Sequence, residues 1–285
     1  MTAESALAVA AAPYQLDVSL VRDGGGRTHI GGQYVAYPFH LCRALRTLGD
    51  PPDMPTLYIQ SCSGGLFEGD DLHCRLSVGR QARAHITTAA ATVVHSMEGG
   101  HGALHVEIET GEGAYVEYLP DPLILFPGAA LRNAVHIQLA ANATVLAWDS
   151  FLAHDPKAVG QVFRQLTSDL SITDLSGRLL ARDRYAAQGA SFLGNAPGVM
   201  GAYRVQAGFV AARLSAPAAE WVAGLREALP DEAGVYVGIS ELPNAAGVWV
   251  RILSRDAAQS NALLARAWSR ARALITGSMP SPRRK

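Results

Sequence analysis

The chain has 285 residues, 49% of them hydrophobic, and a formal net charge of −1. That is apolar material enough for a large core, and the near-neutral balance argues against nucleic acid as the main partner. Three cysteines (Cys42, Cys62 and Cys74) are too few and too scattered for a disulfide framework, and no apolar run approaches the ~20 residues of a membrane span, so a cytoplasmic setting without a membrane partner is expected.

Residues 1–13 are Ala-rich with no basic start, and read as a disordered leader. Residues 14–22 place Leu16, Val18 and Leu20 on one face of a first strand. Residues 34–41 are apolar but broken by Pro38, the pattern of an edge strand. A strand at 57–59 enters a turn carrying Gly64, Gly65 and Gly69 and leaves through Asp70 and Asp71 into the alternating run 72–78. Further strands are predicted over 84–88, 90–95, 104–109, 114–119, 123–126, 135–139 and 144–149, followed by a strand pair within 163–185 around Ser176 and Gly177 and a longer strand at 203–214. A helix follows Pro217, with Trp221, Val222, Leu225 and Leu229 at helical spacing until Pro230. After strands at 235–242 and 248–253, a second helix runs over 256–275 with Ser254 as its expected cap. Its apolar stripe comprises Leu264, Ala267, Trp268, Ala271, Leu274 and Ile275, and Arg266, Arg270 and Arg272 are expected to face water.

Short strands spaced near ten residues apart and joined by Gly turns indicate a single β-dominated domain over 14–275, its strands mostly antiparallel, with about two helices near the C-terminus and a disordered basic tail at 276–285. No helical period occurs before residue 150, which excludes Rossmann and P-loop architectures.

The acidic turn Glu68, Asp70 and Asp71 offers a hard-cation site or a lip for a charged ligand; alternatively Asp70 accepts backbone N–H bonds and Asp71 faces water, which residue chemistry favours. Cys62 or Ser63 invites a nucleophile reading, as in a small hydrolase, yet the G-x-S-x-G pattern, a following helix and an assignable base are all missing. His95, His101 and His105 cluster in sequence and suit a borderline metal such as nickel or zinc, set against solvated strand and loop histidines. His154, Asp155 and Pro156 after Asp149 suggest either a proton relay or a turn. No set of residues assembles a reaction centre, and a binding or scaffold protein is the better reading.

Several blocks in order resemble the UreD (UreH) family of urease accessory proteins. Ser63-Gly64-Gly65-Leu66-Phe67-Glu68-Gly69-Asp70-Asp71-Leu72 is similar to its Gly-Gly-Leu-x-x-Gly-Asp-x-Leu block, and Thr87-Thr88-Ala89-Ala90-Ala91-Thr92 to its Thr-Thr-x-x-Ala-Thr strand. Tyr118-Leu119-Pro120-Asp121-Pro122-Leu123-Ile124-Leu125-Phe126-Pro127-Gly128-Ala129 resembles a third block, and the strand at 248–253 before a Trp-containing helix a fourth. The resemblance implies a helicoidal β fold and a non-catalytic scaffold with no tightly bound cofactor. Such a scaffold binds apo-urease and, through a UreF-type protein, recruits a UreG-type GTPase for GTP-dependent nickel insertion. It also implies transient contact with nickel on internal passages, for which Asp70, Asp71, Glu68 and Asp149 are the path or interface candidates. Three positions depart from the family pattern: Val93 replaces a Lys, Asp149 a Glu, and Ser63 the Pro that usually precedes Gly-Gly. A stand-alone hydrolase and a plain ligand-binding β module are the competing readings.

Overall fold

A computed structural model describes residues 13–47, 50–192 and 198–281. The expected leader therefore lies outside the described residues, save Pro13. The chain alternates between two facing sheets. In the ten-stranded sheet lie β4 (Thr56–Ser61), β6 (Arg83–Thr88), β9 (Tyr115–Tyr118) and β12 (Thr144–Ala153). In the seven-stranded sheet lie β1 (Leu16–Arg22), β5 (Asp71–Val78), β8 (Gly102–Thr110), β11 (Ala130–Leu139) and β13 (Gln165–Asp174). Each strand pairs in parallel with the next of its own sheet, one coil later, so the body is a β-solenoid. A short third column, β7 (Thr92–Val94) and β10 (Leu123–Leu125), runs parallel beside the end of β12, and Leu66 bridges to Val94.

Strand dominance and two late helices agree with the sequence reading; the mainly antiparallel pairing does not. Among the described residues, nine strand pairings are parallel and six antiparallel. The antiparallel ones cap the solenoid. At one end stand β2 (Thr28–Val35) and β3 (Phe39–Leu41), both edge strands, separated at Pro38. At the other stand β14 (Leu179–Gln188), which forms the hairpin with β13, and β15 (Val205–Arg213), β16 (Val235–Glu241) and β17 (Gly247–Ser254). Alternation with period two is the same for a hairpin and for a solenoid coil; only the turn decides whether the next strand returns to its neighbour or crosses to the facing sheet.

The crossing turns from the seven- to the ten-stranded sheet stack on one another. Gln81, Gly113 and Asn142 occupy the same left-handed position at φ 53°, 66° and 55°. Each precedes an alanine buried between the sheets, Ala82, Ala114 and Ala143. Thr110 Oγ1 donates to Gln138 O and accepts from Ala140 N–H, tying one coil to the next.

Inward residues such as Leu16, Leu76, Ile108, Ile137, Val145 and Val210 fill the space between the sheets. The outer face of the ten-stranded sheet is covered by helices α1 (Ala218–Ala228) and α2 (Ala257–Thr276), with Trp221, Leu225, Leu264 and Trp268 packed on Trp148, Phe209 and Val250. Each fully buried side chain of this kind contributes roughly 1.5–3 kcal/mol. The α2 cap is Asp256, whose side chain accepts the Gln259 N–H at 2.8 Å, while Ser254 Oγ donates to Asp256 O. Ser254 is still paired in the sheet with Val205 and Val235 and the helix starts only at Ala257, so the capping position falls two residues later. In the 276–285 tail, Thr276 ends α2 and the Ser281 N–H reaches Asp50 Oδ1 at 3.1 Å; residues 282–285 are outside the described part. No helix is long and apolar enough to cross a membrane among the described residues.

Candidate functional site: a cavity between the sheets

The Gly-rich turn joins β4 to β5 at the corner where the third column begins. Gly65 takes φ 147°, and a Cβ there would sit 2.3 Å from Val93 O. Only glycine lets the turn lie against the next coil, where Leu66 N–H donates to Val93 O (2.8 Å) and His95 N–H to Leu66 O (2.9 Å). Ser63 Oγ donates to Gly65 O at 2.6 Å, and Asp70 Oδ2 accepts the Phe67 N–H at 2.8 Å. Asp70, half-buried, thus closes the turn it ends, and is not among the cavity-lining residues described below.

Glu68 reaches across to the following coil and accepts the N–H groups of Glu98 (2.7 Å), Gly99 (3.3 Å) and Gly100 (2.5 Å). Those donors, Gly100 foremost, hold its carboxyl below the usual range. Arg164 fastens the same loop from the other side through the carbonyls of Met97, Glu98 and Gly100. His95 is a wall of the turn: its ring stacks on Phe67 with centroids 4.4 Å apart, and its Nε2 lies 3.2 Å from Gly64 O.

The histidines at 95, 101 and 105 are therefore not assembled together. His101 lines a shallow depression with Arg132 and Arg164, a setting hostile to a cation. His105 projects from the outer face of β8, where it meets His73 and Asp71 instead. Cys62 is exposed, and no histidine hydrogen-bonds to Cys62 or Ser63 among the described residues. Asp155 accepts the backbone N–H groups of Lys157 (3.1 Å) and Gln161 (3.0 Å), making a turn rather than a relay.

Behind the turn lies a cavity of about 240 Å³ between the sheets. Gly64, Gly65 and Leu66 form its mouth, Ala91, Thr92 and Val93 one wall, and Leu104, Val106 and Tyr118 its depth. A second space of about 60 Å³ adjoins it, sharing Thr88, Thr92, Leu104 and Tyr118 as walls, and ends on Asp149, Ser168 and Tyr185. Three of the sequence blocks, far apart along the chain, converge here: the glycine turn, the Thr-Thr strand and the Tyr118–Ala129 segment. Hydrogen bonds hold them in place, with Thr88 Oγ1 accepting the Asp121 N–H at 2.8 Å and Trp148 Nε1 donating to Pro120 O at 2.6 Å.

Of the four acidic candidates, only Asp149 lines this space. Burial pushes its carboxyl up to about 6, an effect that Arg251 opposes and Asp183 reinforces. Oδ2 accepts long bonds from Ser168 Oγ and Tyr185 OH, both 3.4 Å, and Oδ1 is buried with no partner. A buried carboxylate with so few donors is costly to ionise, in keeping with its raised pKa.

A second buried group escaped the sequence reading. Arg272 is 1% exposed and does not face water as expected. Its Nη2 lies 2.8 Å from Asp50 Oδ1 and its Nε 3.7 Å from Glu117 Oε1. Glu117 also meets His85 Nδ1 (2.7 Å) and accepts the Tyr115 OH (2.7 Å). Burial alone would raise the Glu117 pKa, but the His85 contact and the Arg272 charge outweigh it and hold the acid below its ordinary value. The signal was present: position 272 is one turn beyond Trp268, inside the apolar stripe. This network clamps α2 to the solenoid and lies outside the cavity.

The family model for the UreD urease accessory protein matches residues 12–285. The chain belongs to the UreD family of urease accessory proteins. It is 39% identical to urease accessory protein UreD 1 of Pseudomonas syringae pv. tomato over 285 residues, 100% of both chains. It is 38% identical to UreD 1 of Methylorubrum extorquens over 275 residues, covering 95% of this chain and 92% of that one. UreD 1 of a Bradyrhizobium strain is 35% identical over 267 residues, with 93% and 92% covered. Within this UreD framework, three of the four blocks that carried the resemblance build the cavity.

Proposed function

We propose that the chain is a non-catalytic scaffold for urease maturation, which in the cytoplasm holds apo-urease and, through a UreF-type protein, receives a UreG-type GTPase. The assembly inserts nickel in a GTP-dependent step, and the cavity from Gly65 to Asp149 is the route nickel takes through this chain. The observation that carries the reading is the convergence of three family blocks on two adjoining spaces, the second lined by a buried, partly unpartnered carboxylate.

The chemistry suits a cargo rather than a resident ion. The walls are mainly apolar, with threonine hydroxyls and the Tyr118 and Cys74 groups that burial keeps protonated, and they offer nickel little to bind. Asp149 supplies one buried carboxylate, with half-buried Asp121 a second on the same space, and burial makes the Asp149 charge costly, so it exchanges readily between proton and cation. So few oxygen ligands delay an ion without keeping it. The hydrolase reading has no comparable support, because neither Cys62 nor Ser63 has a positioned base.

The test is co-expression of urease subunits and the other accessory proteins in nickel medium, with and without this chain. Full activation in its absence overturns the maturation role. Thr92→Trp, which fills the junction of the two spaces, is expected to leave the complex assembled and to abolish most activation. Wild-type activation by a correctly folded Thr92→Trp chain overturns the route.

A further inference from the structure

The outer face of the seven-stranded sheet carries a second arrangement, on the side of the sheet opposite the cavity. Along β5, Leu72, Cys74 and Leu76 turn inward, so Asp71, His73 and Arg75 turn outward. His73 is paired with His105 of β8 by strand register, and their rings stack with centroids 4.5 Å apart and planes 14° apart. Stacking directs the two Nε2 atoms the same way, toward Asp71 at the start of β5. Asp71 Oδ1 is 3.1 Å from His73 Nε2 and 3.6 Å from His105 Nε2, and one ligand atom from each residue lies within 4.8 Å of the others.

We infer that Asp71, His73 and His105 form a surface site for one borderline divalent cation, nickel or zinc. Tetrahedral or octahedral coordination with bonds of about 2.1 Å places neighbouring ligand atoms roughly 3.0–3.4 Å apart; the carboxylate–imidazole separation of 3.1 Å lies within that range and the one of 3.6 Å just above it. Two imidazoles and one carboxylate favour nickel, copper or zinc over calcium or magnesium, which require mostly oxygen. The ligands are held by regular strands rather than by a loop. His73 N–H donates to Gln15 Oε1 at 2.7 Å and Gln15 N–H to His73 O at 2.9 Å, which fixes β5 at the ligand itself. The nearest cation on the strand, Arg75, is neutralised by a paired contact with Asp17 and lies over the Tyr14 ring. On the far side β11 presents Ala134 opposite His105, leaving room for an ion and its waters. Side-chain exposures of 68% for Asp71, 35% for His73 and 38% for His105 leave the site open to solvent and to a docking partner.

The inference does not rest on the maturation role, and binding is measured on the full chain alone, without an affinity tag. Equilibrium dialysis against NiCl₂ is expected to show a site whose affinity falls about tenfold or more in His73→Ala and in His105→Ala. His29→Ala, which removes an exposed histidine of β2 outside the set, is expected to bind as wild type does, and calcium is not expected to compete. With Cu²⁺ as probe, electron paramagnetic resonance is expected to register two nitrogen ligands in the wild type and one in each single variant. His105→Gln preserves a planar side chain on the strand and serves as a second variant; melting temperatures without metal check that all variants fold. Undiminished nickel affinity in a folded double variant His73→Ala/His105→Ala overturns the site, whatever the outcome of urease activation.

Discussion

Replacing Asp149 with Asn is expected to stabilise the protein, and only above acid pH. Burial, partly offset by Arg251, lifts the carboxyl from 3.8 to about 6. At about 1.36 kcal/mol per pH unit this amounts to ~3 kcal/mol against the charged form at neutral pH. At pH ~3 and below the group is protonated in folded and unfolded chains alike, and its environment costs nothing. As pH rises toward 6 the unfolded chain ionises first, so stability is lost through that interval and stays lost above it. The groups facing Asp149 are Ser168 of β13, Asp183 and Tyr185 of β14 and Arg251 of β17; in the Asn variant Ser168 and Tyr185 can still exchange hydrogen bonds with the amide. For a chain of this length ~3 kcal/mol corresponds to a rise in melting temperature of about 5 °C. Paired melts of wild type and Asp149→Asn from about pH 3 to 8 give the result directly: a difference near zero at about pH 3 that grows to the full value by about pH 8. Comparing the two proteins at each pH cancels the remaining carboxylates. A difference independent of pH, or a variant less stable at pH 8, refutes the reasoning.

Arg272→Met leaves Glu117 and Asp50 buried without their cation and is expected to cost about 3–5 kcal/mol, read as a lower urea midpoint with α2 the first element to lose amide protection. Gly65→Ala puts a methyl 2.3 Å from Val93 O in a conformation alanine avoids, and is expected to destabilise by at least about 1–3 kcal/mol and to break the Leu66–Val93 contact, seen as faster exchange of the Leu66 and His95 amides. Burial pushes the Cys74 thiol up to about 12, so a thiol reagent at pH 8 is expected to label exposed Cys62 in the native protein and Cys74 only after unfolding.

Local pattern carried much of the fold. Alternation in residues 16–20, 104–109 and 144–149 identified β1, β8 and β12, and helical spacing around Trp221 and Trp268 identified both helices. The glycine turn was readable too, because Gly64, Gly65 and Gly69 all take positive φ, as such clusters do. Pairing direction was not, since alternation says which face is buried and not which strand lies beside it. One signal went unused: Gln81-Ala82, Gly113-Ala114 and Asn142-Ala143 recur about every thirty residues, the mark of a coiled repeat.

For the sites the division is similar. Composition and motif order pointed to the family, and they brought Glu68, Asp70, Asp71 and Asp149 forward as acids worth placing. Only the stacking of coils distinguished them: Glu68 and Asp70 satisfy backbone N–H groups of the turn, Asp71 turns outward beside His73, and Asp149 turns inward to end the cavity. The three clustered histidines separated for the same reason, because a solenoid brings together residues one coil apart, such as His73 and His105, and sends near neighbours to different faces. The sequence by itself determined that this is a strand-rich UreD-type chain organised by a glycine turn. Tertiary structure decided which acids and histidines meet, since a side chain's partners depend on the register between coils, and register is set by packing over the whole domain.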